Sequence, residues 1–243
     1  MRKLVTSIVV AILAVALLIP GLSVGCVGVN VTGSGDLTTE TSDLSDFTRV
    51  EAHSGFQIEV TQSSTFSIEI TADDNIHEFI EVEKSGETLG IRLRGNRFYH
   101  SVTLRAKITM PELYKIELSG GSQASITGFS SSHDFEVEMS GGSRISGDIT
   151  AGDAVFEMSG GSQVNLEGEA EDLVVDASGG SQLDLEDFSV DDATIELSGG
   201  GRATVNVSGI LDVDLSGGSR VIYVGDPTLG NIELSGDSTV SEK

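Results

Sequence analysis

A seven-residue phrase, "ELSGGSQ" at residues 117–123, returns six times with small changes. The copies are "EMSGGSR" from 138, "EMSGGSQ" from 157, "DASGGSQ" from 176, "ELSGGGR" from 196, "DLSGGSR" from 214 and "ELSGDST" from 233. Their first serines lie 21, 19, 19, 20, 18 and 19 residues apart. A unit of about 19 residues cannot bury a core alone, so the copies must stack on one another as a solenoid.

The parity of each unit gives its local structure. Ile116, Val137, Phe156, Val175, Ile195, Val213 and Ile232 stand three places before the first serine. Leu118, Met139, Met158, Ala177, Leu197, Leu215 and Leu234 stand one place before it. Between them stand Glu117, Glu138, Glu157, Asp176, Glu196, Asp214 and Glu233. Apolar, acidic, apolar with period two predicts a strand with one buried face. The Gly-Gly pair permits a tight bend with positive φ. A second alternating segment follows, as in "SQASITG" and "SQVNLEG". Strand, turn, strand, turn predicts an all-β chain: a parallel β-helix solenoid of about 19-residue coils, roughly 4.8 Å apart. A propeller is the alternative, but its blades need about 40 residues each.

Upstream, "FQIEVTQ", "FSIEITA", "LGIRLRG" and "VTLRAKITM" alternate less regularly. They are expected to form the atypical first coils that a solenoid needs as a cap. "DDNIHEFI" predicts a short helical turn capped by Asp or Asn. At the start, "MRK" precedes the apolar run "LVTSIVVAILAVALLIP", and "GLSVGC" ends at Cys26. That is a secretory pattern. A lone cysteine just after the apolar run points to lipid attachment at Cys26, with a plain cleaved signal or an uncleaved anchor helix as alternatives. The expected division is a signal segment 1–26, a linker 27–35, irregular β coils 36–112 and regular coils 113–243, the last two being one continuous domain. The chain is then extracytoplasmic, held at the membrane through a lipid or an N-terminal helix, or secreted.

The ordered set of motifs resembles a known family. Gly33 and Gly35 are followed by Arg49-Val50, Phe56-Ile58-Val60, Ile68-Ile70, Leu89-Ile91 and Pro111-Glu112-Leu113, and then by the repeated Ser-Gly-Gly-Ser. This is similar to the head GIN domain family of auto-transporter adhesins. The resemblance spans nearly all the chain after the signal, departing at Gly201 and Asp237. It implies a surface or secreted β-helix of right-handed coil, often with a lipoprotein-like signal, and it supplies no catalytic residues.

The chain carries 38 acids against 14 Lys and Arg, a net charge of −24. Such a surface repels nucleic acid and favours cations and basic partners. The seven phrase acids, stacked coil on coil, would repel one another. Three readings are open: a solvated face that discourages aggregation, a weak Ca2+ site, or a docking strip for a protein or surface polysaccharide. The loop GGxGxD is absent, so calcium would be held weakly and no metal site is assigned. A column four places after the serine, with Arg144, Arg202 and Arg220 among Gln123, Gln163, Gln182 and Thr239, offers partial neutralisation. The repeated serines are expected to satisfy turn backbone groups. Arg92, Arg94, Arg97 and Arg105 form the most singular basic group and a candidate anionic-ligand patch.

An enzyme is not expected, and neither is a cofactor. His53, His77, His100 and His133 show no metal-ligand spacing, and no G-x-S-x-G or phosphate loop occurs. A glycoside hydrolase needs two singular carboxylates, whereas these are repeated. The expected role is an envelope-anchored binding or adhesin-like module. A β-helix enzyme acting on polysaccharide and an envelope signalling accessory are the alternatives.

Overall fold

The computed structural model describes residues 29–243 apart from Asn96; the expected signal segment and Cys26 lie outside them. The structure is the predicted all-β parallel solenoid. No helix among the described residues is long and apolar enough to cross a membrane.

Each phrase ends one strand, turns, and opens another. Lys115–Leu118, Phe135–Met139, Ala154–Met158, Asp172–Ala177, Asp192–Leu197, Ile210–Leu215 and Thr228–Leu234 stack parallel in one sheet of ten strands. Gln123–Ser130, Arg144–Thr150, Gln163–Glu169, Gln182–Val190, Arg202–Val207, Arg220–Val224 and Thr239–Glu242 stack parallel in a second, of eleven. The inward positions of both sheets form one core, from Phe47 to Val221. Phe135 meets Phe156 edge-on at 6.5 Å, and Phe156 meets Phe188 at 6.4 Å. Apolar side chains stacked at every coil supply the driving force that one coil lacks.

The turn explains why the phrase tolerates so little change. The second serine is buried and donates its Oγ to the carbonyl of the first, as in Ser143 to Ser140 at 2.9 Å and Ser162 to Ser159 at 2.8 Å. The first glycine takes positive φ and lies against the coil below. A Cβ on Gly217 would stand 2.3 Å from the Gly199 carbonyl oxygen.

The N-terminal coils are not stacked in chain order, as simple coil stacking would have it. Arg49–Ala52 sits between Thr88–Leu93 and Lys115–Leu118, and Gln57–Gln62 between Leu104–Met110 and Gln123–Ser130. The first coil in sequence is thus second in space. The end beyond it is closed by reversed strands: Ile80–Ser85 pairs antiparallel with Thr88–Leu93, and Ser67–Asp73 with both Leu104–Met110 and Leu37–Ser42. A parallel stack left open would present a row of unpaired amides and carbonyls, and hairpins blunt that edge. Asp73, buried inside this cap, accepts from the Gly35 and Thr103 amides, each at 2.7 Å. Those backbone donors hold its carboxyl below the ordinary carboxylate value despite burial.

Two local expectations are corrected. Within the expected linker 27–35, Val29–Thr32 is a strand paired parallel with Arg97–His100. The turn near residue 77 is a single 3-10 turn, His77–Phe79, entered from Ile76 without a side-chain cap.

Candidate binding face

The phrase acids point outward from the ten-stranded sheet and stand in register along it. Glu117 pairs with Glu138, Glu138 with Glu157, Glu157 with Asp176, Asp176 with Glu196, Glu196 with Asp214, and Asp214 with Glu233. The column goes one coil further, because Glu51 pairs with Glu117. Eight carboxylates therefore follow one another, and the row ends where Glu51 meets Gly90. A groove of about 310 Å3 runs beside four of them, lined by Glu117, Glu138, Glu157 and Asp176 together with Ser140, Ser159 and Ser178.

Little charge offsets this row. Lys115 contacts Glu136 at 2.8 Å and also Glu138. Burial works against the Lys115 charge, but these two partners outweigh it and raise its pKa. The Glu117 carboxyl is pushed above its ordinary value, first by burial and then by repulsion from Glu51 and Glu138. The neutralising column does not reach the acids. Arg144, Arg202 and Arg220 lie across the turn on the eleven-stranded sheet, stacked with the glutamines. Arg144 donates along its own column to Gln163 Oε1 at 2.6 and 3.1 Å. Among the described residues, none of the three is paired with an acid of the row.

The four singular arginines do not converge on one patch. Arg92 and Arg94 both bind Glu81, at 2.8 and 3.1 Å, and Arg92 also reaches Glu83 at 3.5 Å. Glu81 is held below its ordinary value, chiefly by the Arg92 hydrogen bond. Arg97 lies over the Phe79 ring at 4.4 Å. Arg105 is on the other sheet, opposite Gln57 in register. Arg92, Arg94 and Arg97 thus brace the cap.

The register also exposes what the sequence concealed. Residues 51–57, "EAHSGFQ", are an eighth copy of the phrase, aligned position for position with 117–123. His53 takes the place of the first serine and Phe56 that of the second. Phe56 is wholly buried and fills with carbon the space where later copies place a hydroxyl. The His53 ring lies between Ser119 and Glu51, with Nδ1 on the Ser119 hydroxyl and Nε2 on the Glu51 carboxylate. The spacing of 66 residues between Glu51 and Glu117, against 21 or fewer later, hid this copy.

Comparison with known proteins places this geometry. The family model described as "Putative auto-transporter adhesin, head GIN domain" matches residues 46–227. A "putative adhesin" of Bacteroides fragilis superposes with a TM-score of 0.83 at 21% identity, over 88% of this chain and 100% of that one. A "putative lipid binding protein" of Parabacteroides distasonis gives 0.72 at 17%, over 88% and 99%. A "putative adhesin" of Parabacteroides merdae gives 0.68 at 19%, over 88% and 99%. At these identities the likeness is one of fold. No curated protein matches the chain.

Proposed function

The chain belongs to the head GIN domain family, and from that premise we propose a non-catalytic, adhesin-like binding module held outside the cytoplasmic membrane by a lipid on Cys26. Its binding strip is the acidic row, and its partner is an extended polycation, a basic protein segment or a polymer bearing amines. The observation that carries this reading is the unbroken register of eight carboxylates beside a groove, with one lysine pairing and no arginine neutralising them. Repeated like charges cost stability, and a partner with cations at the coil spacing of about 4.8 Å converts that repulsion into attraction. Long-range attraction would also speed encounter at low salt. Divalent cations such as Ca2+ compete for the same oxygens, weakly, because the row offers isolated carboxylates and no closed cage.

The test is binding of an oligolysine to the full chain, beside the variant Glu138→Gln, Glu157→Gln, Asp176→Asn. The expected result is binding that weakens with salt and falls at least about tenfold in the variant. Equal affinity in both proteins would remove the row from the binding surface.

A further inference from the structure

One end of the acidic row differs from the rest. Glu51, His53 and Glu117 each offer a ligand atom, and these atoms lie within 4.8 Å of one another. Glu51 on Arg49–Ala52 stands in register with Glu117 on Lys115–Leu118, and His53 follows the first of these strands directly, so the sheet holds the three together. The His53 amide is fixed to the Ile91 carbonyl at 3.1 Å, which ties the backbone under the ring to the cap. His53 is the only histidine in any of the eight phrase copies. Every other acid of the row is followed two places later by serine, so this is the one place in the row where an imidazole nitrogen joins the oxygens.

The hydrogen-bonding pattern suits a metal ligand. Ser119 Oγ sits on His53 Nδ1. With Nδ1–H donating to that oxygen, Nε2 presents a lone pair toward the Glu51 carboxylate, which it already meets. In that tautomer the lone pair and the carboxylate repel each other unless a proton or a metal ion joins them. A metal-bound imidazole whose other nitrogen donates to an outer partner has this same arrangement. Glu117, in register with Glu51, adds a third ligand. On the outer side, a groove of about 230 Å3 between the site and the hairpin leaves room for a fourth ligand. Arg92, which also lines that groove, is engaged by Glu81 at 2.8 Å, so its charge is offset.

We propose that Glu51, His53 and Glu117 form a site for one zinc-type divalent ion, with Ser119 orienting the imidazole and one coordination position open to the groove. Mixed imidazole and carboxylate ligands suit such an ion, whereas hard cations such as Ca2+ take oxygens alone. This site takes Glu51 and Glu117 from the end of the acidic row, and zinc binding there does not require that the rest of the row bind a polycation.

Calorimetric titration of the metal-free full chain with Zn2+ tests it. The expected result is saturable binding of one ion per chain that excess Ca2+ leaves in place. His53→Ala and His53→Gln should each weaken it at least about a hundredfold, and Ser119→Ala about tenfold. Glu157→Gln with Asp176→Asn, which disables the strip further along, should leave zinc affinity within about twofold. His53→Gln keeps a polar tip for Ser119, so an unchanged circular dichroism spectrum and metal-free melting curve would separate lost ligation from lost folding. The other tautomer, with Nε2–H donating to Glu51, makes the cluster a plain hydrogen-bonded brace. Absence of a saturable site, or equal zinc binding in both His53 variants and the parent, would overturn the proposal.

Discussion

Between Lys115 and Val224 every coil has a neighbour on each side and copies it nearly residue for residue, whereas between Leu37 and Met110 only the coil Arg49–Gln62 keeps the phrase and the strands that close the end reverse direction. The two regions share one core but obey different constraints. In the regular coils a side chain must suit the identical site above and below, so the outcome is columns: aliphatic inside, carboxylate or amide outside. In the cap each residue has its own surroundings. Charge is paired there, as Arg92 and Arg94 are on Glu81, and a buried carboxylate such as Asp73 can serve as a clasp. Repetition yields a surface suited to an extended partner. Singular chemistry arises where the repeat breaks, at His53.

Large effects should separate the interior of the stack from the periphery of the cap. Phe156→Ala removes a ring stacked between Phe135 and Phe188 and should cost about 3–5 kcal/mol in chemical unfolding. Phe98→Ala, at a ring 56% exposed in the cap, should cost within about 0.5 kcal/mol. Similar losses at both sites would mean that the stack has no tighter core than the cap.

A smaller contrast concerns the turns. Gly217→Ala adds both left-handed strain, at φ 79°, and a clash with the Gly199 carbonyl, for about 3 kcal/mol in all. Gly121→Ala, at φ 80° with nothing within 4 Å of its Cβ, should suffer the strain alone, about 1–2 kcal/mol. Thermal melts of the two variants rank them.

In the cap, Asp73→Asn should cost about 2 kcal/mol at neutral pH, because an ionised acceptor of two amides becomes neutral. The Asp73 carboxyl is lowered on folding, so its contribution is present above the ordinary value of 3.8 and is lost as pH falls through the lower folded value. The difference between parent and variant should therefore shrink in acid unfolding. A pH-independent difference would show that the clasp acts by packing alone.

The smallest effect has the opposite sign. Glu117→Gln should stabilise the chain by a few tenths to about 1 kcal/mol at pH 7. Its carboxyl is raised on folding, so the cost is absent below the ordinary value of 4.5 and appears as pH rises. The gain should vanish in melts below that value. A destabilised variant at pH 7 would mean that the row is held together rather than pushed apart.

Much of this was legible in the residues because stacking turns a repeat into a column. The alternation around Ile116 and Leu118 predicted the buried face, and the fixed place of Glu117 and its copies predicted the row. The Ser122 column was also readable, since a hydroxyl beside two glycines finds a turn carbonyl. What escaped depends on pairing between distant segments. The order of the first coils is set by antiparallel closure of the end, which local patterning does not encode. The copy at residues 51–57 carries His53 and Phe56 where serines were sought, and the cap inserts its strands before the next copy. The arginines looked like one patch because they are close in sequence, yet Arg105 lies on Leu104–Met110, a strand of the other sheet. The assignment of Cys26 rests on residues outside those described.

The most direct measurement is a carboxyl-carbon NMR titration of Glu117 in the parent, in Glu51→Gln and in Glu138→Gln. An in-register row predicts that Glu117 titrates above the ordinary 4.5 and moves back toward it when either neighbour is neutralised. Titration at the ordinary value, unmoved by both substitutions, would show that the carboxylates do not stack and would contradict the account.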